Sequence, residues 1–115
     1  GIATLLALAL MSGPASAGNL VFRIKSSYTF RVQIEFYSQN RNFAWPGGNK
    51  AYNLDDSKIH EYSLNCNSGE KICYGAWVTG NKNKYWGAGL GGRQACSKCC
   101  FTCDGGQTPI ITLHD

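Results

Sequence analysis

The placing of six cysteines constrains this chain of 115 residues more than any other feature of its sequence. Two precede a cluster of four near the C-terminal end: Cys66, Cys73, Cys96, Cys99, Cys100 and Cys103. Small domains rich in cysteine are held together by disulfides when they mature in an oxidising compartment. We therefore predict three disulfides, with a pairing that sequence alone does not determine.

The spacing narrows that pairing. Cys99 and Cys100 are neighbours, and a bond between neighbouring cysteines is strained, so each is expected to pair elsewhere. Cys66 and Cys73 can close the intervening loop on each other, or each can reach into the C-terminal cluster. We favour at least one bond between the two groups, because it ties the C-terminal segment to the rest of the domain.

The alternative to disulfides is a metal site. The cluster reads Cys-x2-Cys-Cys-x2-Cys, and zinc sites do use Cys-x2-Cys steps. Such sites, however, bring together two pairs of cysteines that are well separated in sequence. Four thiols within eight residues are poorly placed to surround one metal ion tetrahedrally. We therefore favour disulfides, and we predict no metal and no cofactor.

Residues 1–17 have the pattern of a signal peptide. They contain no charged residue, whereas all 11 Lys and Arg and all 7 Asp and Glu come later. An apolar run over residues 2–11 leads to the small-x-small sequence Ala15-Ser16-Ala17, although the positive n-region is missing. We predict that residues 1–17 are removed and that residues 18–115 form one secreted or periplasmic domain. The alternative is a buried N-terminal helix.

Composition excludes several classes of protein. The chain has 3 Trp, 6 Tyr and 5 Phe, which argues against a disordered tail. Its formal net charge of +4 is spread along the chain without a block of like charge, so no nucleic-acid partner is predicted. No second long apolar run follows the first, so no membrane span is predicted in the mature chain.

Alternating apolar and polar residues predict an all-β fold. The clearest run places Phe30, Val32, Ile34 and Phe36 on one face, and it follows a shorter run over residues 20–25. The two runs are predicted to form an antiparallel hairpin.

Further strands are predicted over residues 59–65, 72–78, 85–89 and 108–113. The run over 72–78 is apolar on both faces, which indicates a central strand with Trp77 in the core and a close backbone approach at Gly75. Pro109 places the last strand at a sheet edge. The sequence therefore predicts a small antiparallel β-sandwich or barrel of about six or seven strands.

Aromatic side chains in or near loops suggest a recognition surface. Trp45 lies in an irregular segment rich in Asn, Gly and Pro, and Tyr85 and Trp86 precede a glycine-rich stretch that ends at Arg93. These four residues are the predicted binding site, which requires the loop over residues 40–53 to fold toward residues 85–92. The alternative is that Trp45 and Trp86 are structural.

Candidate catalytic groups are few. His60 and His114 are the only histidines, and the sequence contains none of the common hydrolase, metalloprotease or phosphate-loop motifs. Asp55 and Asp56 lack the spacing of a calcium loop and are interpreted as a solvated turn. We predict no catalytic residues.

Three segments, residues 72–77, 85–89 and 96–103, give the chain a weak resemblance to small secreted bacterial proteins of uncharacterised function. That resemblance implies a single cysteine-stapled β-domain and carries over no catalytic residue. Phe22-Arg23-Ile24 and Tyr28-Thr29-Phe30 are also similar to thaumatin-like β-sandwiches, although the cysteine pattern departs from that family.

The leading hypothesis is an exported, non-enzymatic protein that binds an unknown protein or glycan at the cell envelope or outside the cell. Two alternatives belong to other classes. One is a secreted inhibitor or toxin-like protein that acts on another protein. The other is an enzyme that uses a cysteine or His60.

Overall fold

A computed structural model describes residues 17–114, which form nine β-strands and no α-helix. The strands are β1 Ala17–Ser26, β2 Val32–Ser38, β3 Ala44–Trp45, β4 Tyr52–Leu54, β5 Ile59–Asn67, β6 Lys71–Val78, β7 Asn81–Gly87, β8 Cys100–Thr102 and β9 Gln107–Leu113. A 3₁₀ turn occupies Leu90–Gly92. The predicted signal peptide lies outside the described residues except for Ala17, the first residue of β1.

The strands form two sheets. Sheet A has the order β5-β1-β9, and sheet B has the order β3-β2-β6-β7, with β4 also beside β2 and β8 also beside β6. Every pairing is antiparallel except that of β1 with β9. The predicted β-sandwich is confirmed. The strands that sequence patterns missed, β3, β4 and β8, are each two or three residues long.

The main hydrophobic core lies between the two sheets. Its fully buried side chains come from alternate positions of the strands and include Phe22 and Ile24 of β1 and Ile34 and Phe36 of β2. The ring centroids of Phe22 and Phe36 are 4.5 Å apart. Each sheet thus turns one face inward, as the period-two pattern predicted.

The predicted hairpin between the first two strands is wrong. β1 pairs with β5 and β9, and β2 pairs with strands of the other sheet. The apolar faces of β1 and β2 pack against each other across the core, and the connection between them carries the chain from one sheet to the other. Phe30 lies in that connection and is 66% exposed, so it is not part of the buried face.

β6 is the central strand of sheet B, as predicted. It pairs with β2 along one edge and with β7 and β8 along the other. β6 turns back into β7 at Thr79-Gly80, so the strand predicted over residues 85–89 begins earlier, at Asn81, and Lys82 and Lys84 belong to it. The last strand, β9, lies at an edge of sheet A, as Pro109 indicated.

The buried carboxylate of Glu70 accepts hydrogen bonds that connect the two sheets at one end of the sandwich. The side chain of Glu70 is 1% exposed and accepts hydrogen bonds from Arg41 Nε at 2.6 Å, from the Asn67 backbone N–H at 2.9 Å, and from the Ser38 hydroxyl. Chiefly because of the Arg41 hydrogen bond, the pKa of Glu70 falls to about 2. The network joins the β2–β3 connection to the turn that leads from β5 in sheet A to β6 in sheet B.

All six cysteines form disulfides, which confirms the prediction of three bridges and of a link between the two cysteine groups. The pairs are Cys66–Cys103, Cys73–Cys100 and Cys96–Cys99. Cys66 and Cys103 lie in the core between the sheets. The other two bridges lie together, where Cys73, Ala88 and Cys99 form a small second core.

Candidate functional site

The outer face of sheet B forms the floor of a groove. Because side chains alternate along a strand, the residues between the core positions of β2 and β6 point outward: Gln33 and Glu35 from β2, and Trp77 from β6. Gln33 and Trp77 are direct cross-strand partners, and Trp77 Nε1 donates to Gln33 Oε1 at 3.2 Å. This bond orients the Gln33 side chain and leaves its amide NH₂ group as a donor.

The segment over residues 88–94 forms one wall of the groove. It lies directly on the sheet because β6 and β7 place Gly75 and Gly87 opposite each other there. A Cβ on Gly75 would collide with the Gly89 carbonyl oxygen, and would lie 2.8 Å from the Tyr37 ring. The close backbone approach that the sequence predicted at Gly75 is therefore confirmed.

Hydrogen bonds of the Tyr37 hydroxyl connect this wall to the floor of the groove. Its hydroxyl is 2.9 Å from Glu35 Oε1 and 3.2 Å from the Gly89 carbonyl oxygen, and it accepts a hydrogen bond from the Gly91 N–H at 2.9 Å. Burial, reinforced by the neighbouring Glu35 carboxylate, raises the pKa of Tyr37 well above its usual range. The hydroxyl therefore remains a neutral donor near neutral pH.

The loop between β3 and β4 forms the opposite wall. The chain reverses over residues 47–50, with Gly47 and Lys50 paired as an isolated bridge and Asn49 at a φ of 60°. Asn tolerates this left-handed conformation better than most residues. The loop thereby presents Asn49 and Lys50 to the groove.

We call this depression the outer groove; its volume is about 830 Å³. It is lined by Gln33, Glu35, Asn49, Lys50, Ala51, Trp77, Lys82, Asn83, Leu90, Gly91, Arg93 and Gln94. A second hollow of about 560 Å³ adjoins it, shares Glu35, Asn49 and Gly91, and extends toward Arg41 and Phe43. The two hollows run along the same face of sheet B.

The outer groove carries more positive than negative charge. Lys50, Lys82 and Arg93 line it, against the single carboxylate of Glu35. Within residues 17–114, none of these three cations forms an ion pair. Burial raises the pKa of Glu35, an effect that the hydrogen bond from Tyr37 opposes. The groove therefore favours an anion.

The predicted site residues divide between two faces of sheet B. Trp45 pairs with Phe36 and Trp86 with Ala76, so both indoles point toward the core. Trp45 is 8% exposed and donates to the Asn65 carbonyl of β5 at 3.0 Å, whereas Trp86 is half-buried and donates to the His114 carbonyl at 2.6 Å. Both rings have structural contacts, and a ligand role for either stays a prediction.

Tyr85 and Arg93 lie on the groove side. Tyr85 is the cross-strand partner of Trp77 and is 41% exposed, and Arg93 lines the outer groove itself. The loop over residues 40–53 does approach the segment that follows β7, since Asn49 and Gly91 line the same groove. The two loops therefore converge as predicted, and the aromatic side chain that lines the groove is Trp77.

Sequence reasoning placed Trp77 in the core and missed Gln33 and Glu35. The predicted burial of Trp77 is confirmed, since it is 6% exposed, and this side chain lies on the outer face of sheet B and not between the two sheets. The signal that would have located this face was present, because Gln33 and Glu35 occupy the polar positions of the clearest alternating strand.

The remaining candidates lie away from the groove. His60 Nε2 is 2.7 Å from Asp56 Oδ1, and this contact is the main reason that the pKa of Asp56 is lowered. Asp56 also accepts from the Lys58 backbone N–H at 2.9 Å, as expected of a turn. Cys73, Cys99 and Cys100 place their sulfurs within 4.8 Å of one another, but each belongs to a disulfide.

No family model, curated protein or solved structure matches this chain. The resemblance to small secreted bacterial domains therefore stays a prediction. Among the described residues, no helix has the length and apolar character needed to cross a membrane.

Proposed function

We propose that the protein is a non-enzymatic, secreted or periplasmic binding protein whose outer groove takes an acidic carbohydrate. The observation that carries the proposal is the lining of the groove. Four side-chain carboxamides and three cations face the same space: Gln33, Asn49, Asn83, Gln94, Lys50, Lys82 and Arg93. Groups of these two kinds bind a polar anion through hydrogen bonds and charge.

The carboxamides suit the hydroxyl groups of a sugar. Each offers an acceptor oxygen and two N–H donors, so one amide can bind a hydroxyl in either of its roles. Arg93 adds a planar set of donors that matches a carboxylate or sulfate in a two-point contact. The combination favours a polyhydroxylated anion over a simple salt ion.

The size of the groove agrees with such a ligand. Its volume of about 830 Å³ lies within the usual range of small-molecule sites, and the adjoining hollow lengthens it along the sheet. The Cys73–Cys100 bridge joins the chain that follows the Arg93 wall to β6, and the Cys96–Cys99 bridge closes the short loop between them. A ligand would therefore meet a largely pre-formed surface.

The proposed location rests on the disulfides. Three bridges in a chain of this length are typical of proteins that mature in an oxidising compartment. The signal-peptide pattern of residues 1–17 points the same way.

Calorimetric titration tests the proposal with three oligosaccharides of equal length: one sulfated, one composed of uronic acids, and one neutral. We expect binding of at least one acidic oligosaccharide and none of the neutral one. Arg93→Glu and Lys82→Glu should each weaken binding about tenfold or more, which corresponds to about 1.4 kcal/mol. Lys58→Glu makes the same change of charge in the turn before β5 and should leave binding unchanged. Equal losses in all three variants, or no acidic ligand, would contradict the proposal.

A second candidate is an inhibitor that docks on another protein. The observation that favours it is an exposed pair beside the adjoining hollow: Phe43 is 47% exposed, and the Arg41 guanidinium lies 4.4 Å from its ring centroid. Arginine and aromatic side chains dominate protein-binding hot spots. Phe43→Ser should abolish capture of such a partner.

A further inference from the structure

Two of the three disulfides touch each other. Cys99 Sγ lies 3.9 Å from Cys100 Sγ, although these atoms belong to different bridges. The sulfurs of Cys73, Cys99 and Cys100 all lie within 4.8 Å of one another. With Cys96, the partner of Cys99, they form one sulfur cluster on the outer face of sheet B.

The third disulfide is separate from this cluster. Cys66 and Cys103 belong to the main core between the sheets, whereas Cys73 and Cys99 belong to the small second core. Any chemistry that depends on contact between bridges is therefore confined to four of the six cysteines.

Contact between a thiolate and a disulfide permits exchange. A thiolate attacks one sulfur of the bridge, forms a new disulfide with it, and releases the other sulfur as a thiolate. A thiolate on Cys99 would already lie beside the Cys73–Cys100 bridge. What is needed to start exchange is a way to open the Cys96–Cys99 bridge.

Burial directs that opening. Cys99 is 1% exposed, whereas Cys96 is only half-buried. An external thiol therefore reaches the sulfur of Cys96 and expels the sulfur of Cys99 into the cluster. The residue that is released is the one that touches the second bridge.

We propose that the Cys73–Cys100 and Cys96–Cys99 bridges form one exchange unit that a small thiol such as glutathione can isomerise. The glutathione thiolate bonds to Cys96 and leaves the electron pair on Cys99. Cys99 then bonds to Cys73 and releases Cys100 as a thiolate. Cys100 bonds to Cys96 and returns the glutathione thiolate. Two disulfides are present before and after, so no net oxidation or reduction occurs.

The isomer changes how the groove wall is tethered. In the isomer, Cys73 of β6 would be bonded to Cys99. In the original form it is bonded to Cys100, the residue of β8 that lies directly opposite it. The wall over residues 88–94 precedes this cluster in the chain and packs against Cys73 and Cys99 through Ala88. Exchange therefore gives the protein two covalent forms that differ at this wall.

A variant with an odd number of cysteines tests the proposal without added thiol. Cys96→Ser leaves Cys99 without its partner beside an intact Cys73–Cys100 bridge. After incubation near pH 8, alkylation and peptide mapping should find the label divided between Cys99 and Cys100. Cys66→Ser is the matched control, since it frees Cys103 away from the cluster, and its label should stay on Cys103.

Label confined to Cys99 in a folded Cys96→Ser protein would overturn the proposal. If that variant does not fold, the unmodified protein is incubated with catalytic glutathione, quenched in acid and mapped for its linked peptides. Peptides joined through Cys73–Cys99 and Cys96–Cys100 are the expected result. Unchanged bridges after this treatment would equally overturn the proposal.

Discussion

Trp45 connects the two sheets through both its ring and its indole N–H, which bonds to the Asn65 carbonyl of β5. Trp45→Ala should lower the free energy of unfolding by about 3–5 kcal/mol, the usual cost of truncating a large buried ring. Trp45→Phe keeps most of the ring and loses the hydrogen bond, so it should cost less. Tyr85→Ala, at a site 41% exposed, is the control and should change stability little. Urea unfolding followed by circular dichroism makes the comparison, and a stable Trp45→Ala protein would contradict it.

Glu35 is the residue through which pH should act on the proposed binding function. Burial raises its pKa, so it takes up a proton at higher pH than an ordinary glutamate does. A sulfated oligosaccharide stays ionised throughout and should bind more tightly as pH falls, because the groove then loses its only carboxylate. Glu35→Gln should bind more tightly at pH 7 and lose this pH dependence, whereas Glu61→Gln on sheet A should keep it. Calorimetry from pH 7 to pH 4 measures the effect, and identical profiles for Glu35→Gln and the unmodified protein would contradict it.

Glu70 is the residue through which acid should lower the stability of the fold. Its pKa is about 2 in the folded protein against an ordinary value of 4.5. Its contribution to stability is complete above pH 4.5 and is lost as pH falls from there through 2. Glu70→Gln should lower the free energy of unfolding at pH 7 by about 2 kcal/mol, the cost of weakening charged hydrogen bonds at a buried site. The difference between variant and unmodified protein should nearly vanish at pH 2. Urea titrations at both pH values test this, with the exposed Glu61→Gln as control, and a difference that persists at pH 2 would be inconsistent with it.

Among the secondary-structure elements, the contact between β6 and the segment over residues 88–94 is the most sensitive to a single methyl group. Gly75→Ala would place a Cβ against the Gly89 carbonyl and the Tyr37 ring. The segment must then lift from the sheet, so we expect faster amide exchange at Gly91, whose N–H bonds to Tyr37, and a loss of stability of about 1–3 kcal/mol. Ser63→Ala on the exposed face of β5 is the control. Unchanged exchange at Gly91 would show that the contact is not required.

The strands were predictable where alternation was long, and the pairing of strands was not. β2 and β5 repeat with period two over seven or more residues, so their buried faces were evident. The prediction that β1 pairs with β2 was wrong because two successive alternating strands fit two arrangements equally well. They can form a hairpin within one sheet, or they can lie in two sheets that face each other. What distinguishes them is the packing of Phe22 against Phe36 across the core, which no local pattern encodes.

The candidate site was half predictable for a similar reason. Arg93 and the two converging loops were identified, but the face of sheet B that Trp77 occupies was not. Trp77 lies in an apolar strand that is buried on both faces, so burial alone does not say which face it occupies. Its position is fixed by register, since Gln33 and Tyr85 are its partners on the outer face. Register depends on pairings between distant parts of the chain.

For the whole molecule, the three disulfides should differ in their effect on stability. Cys66–Cys103 spans 37 residues, whereas Cys96–Cys99 spans 3. Because the loss of unfolded-state entropy grows with the length of the closed loop, Cys66→Ser with Cys103→Ser should cost about 4 kcal/mol, and Cys96→Ser with Cys99→Ser much less. Urea unfolding of both double variants tests the order. Equal losses would mean that contacts made by the cysteines, and not loop closure, decide the effect.

The parallel pairing of β9 with β1 affects how the chain folds as it is made. β1 is the central strand of sheet A, and both of its neighbours are synthesised later, β9 last of all. One edge of β1 therefore remains without its native partner until β9 has left the ribosome. Pairings between segments so far apart form slowly, and an unpaired strand edge invites association with other chains. Sheet A therefore cannot be completed before β9 is made, and until then the open edge of β1 is a site at which this chain can associate with another.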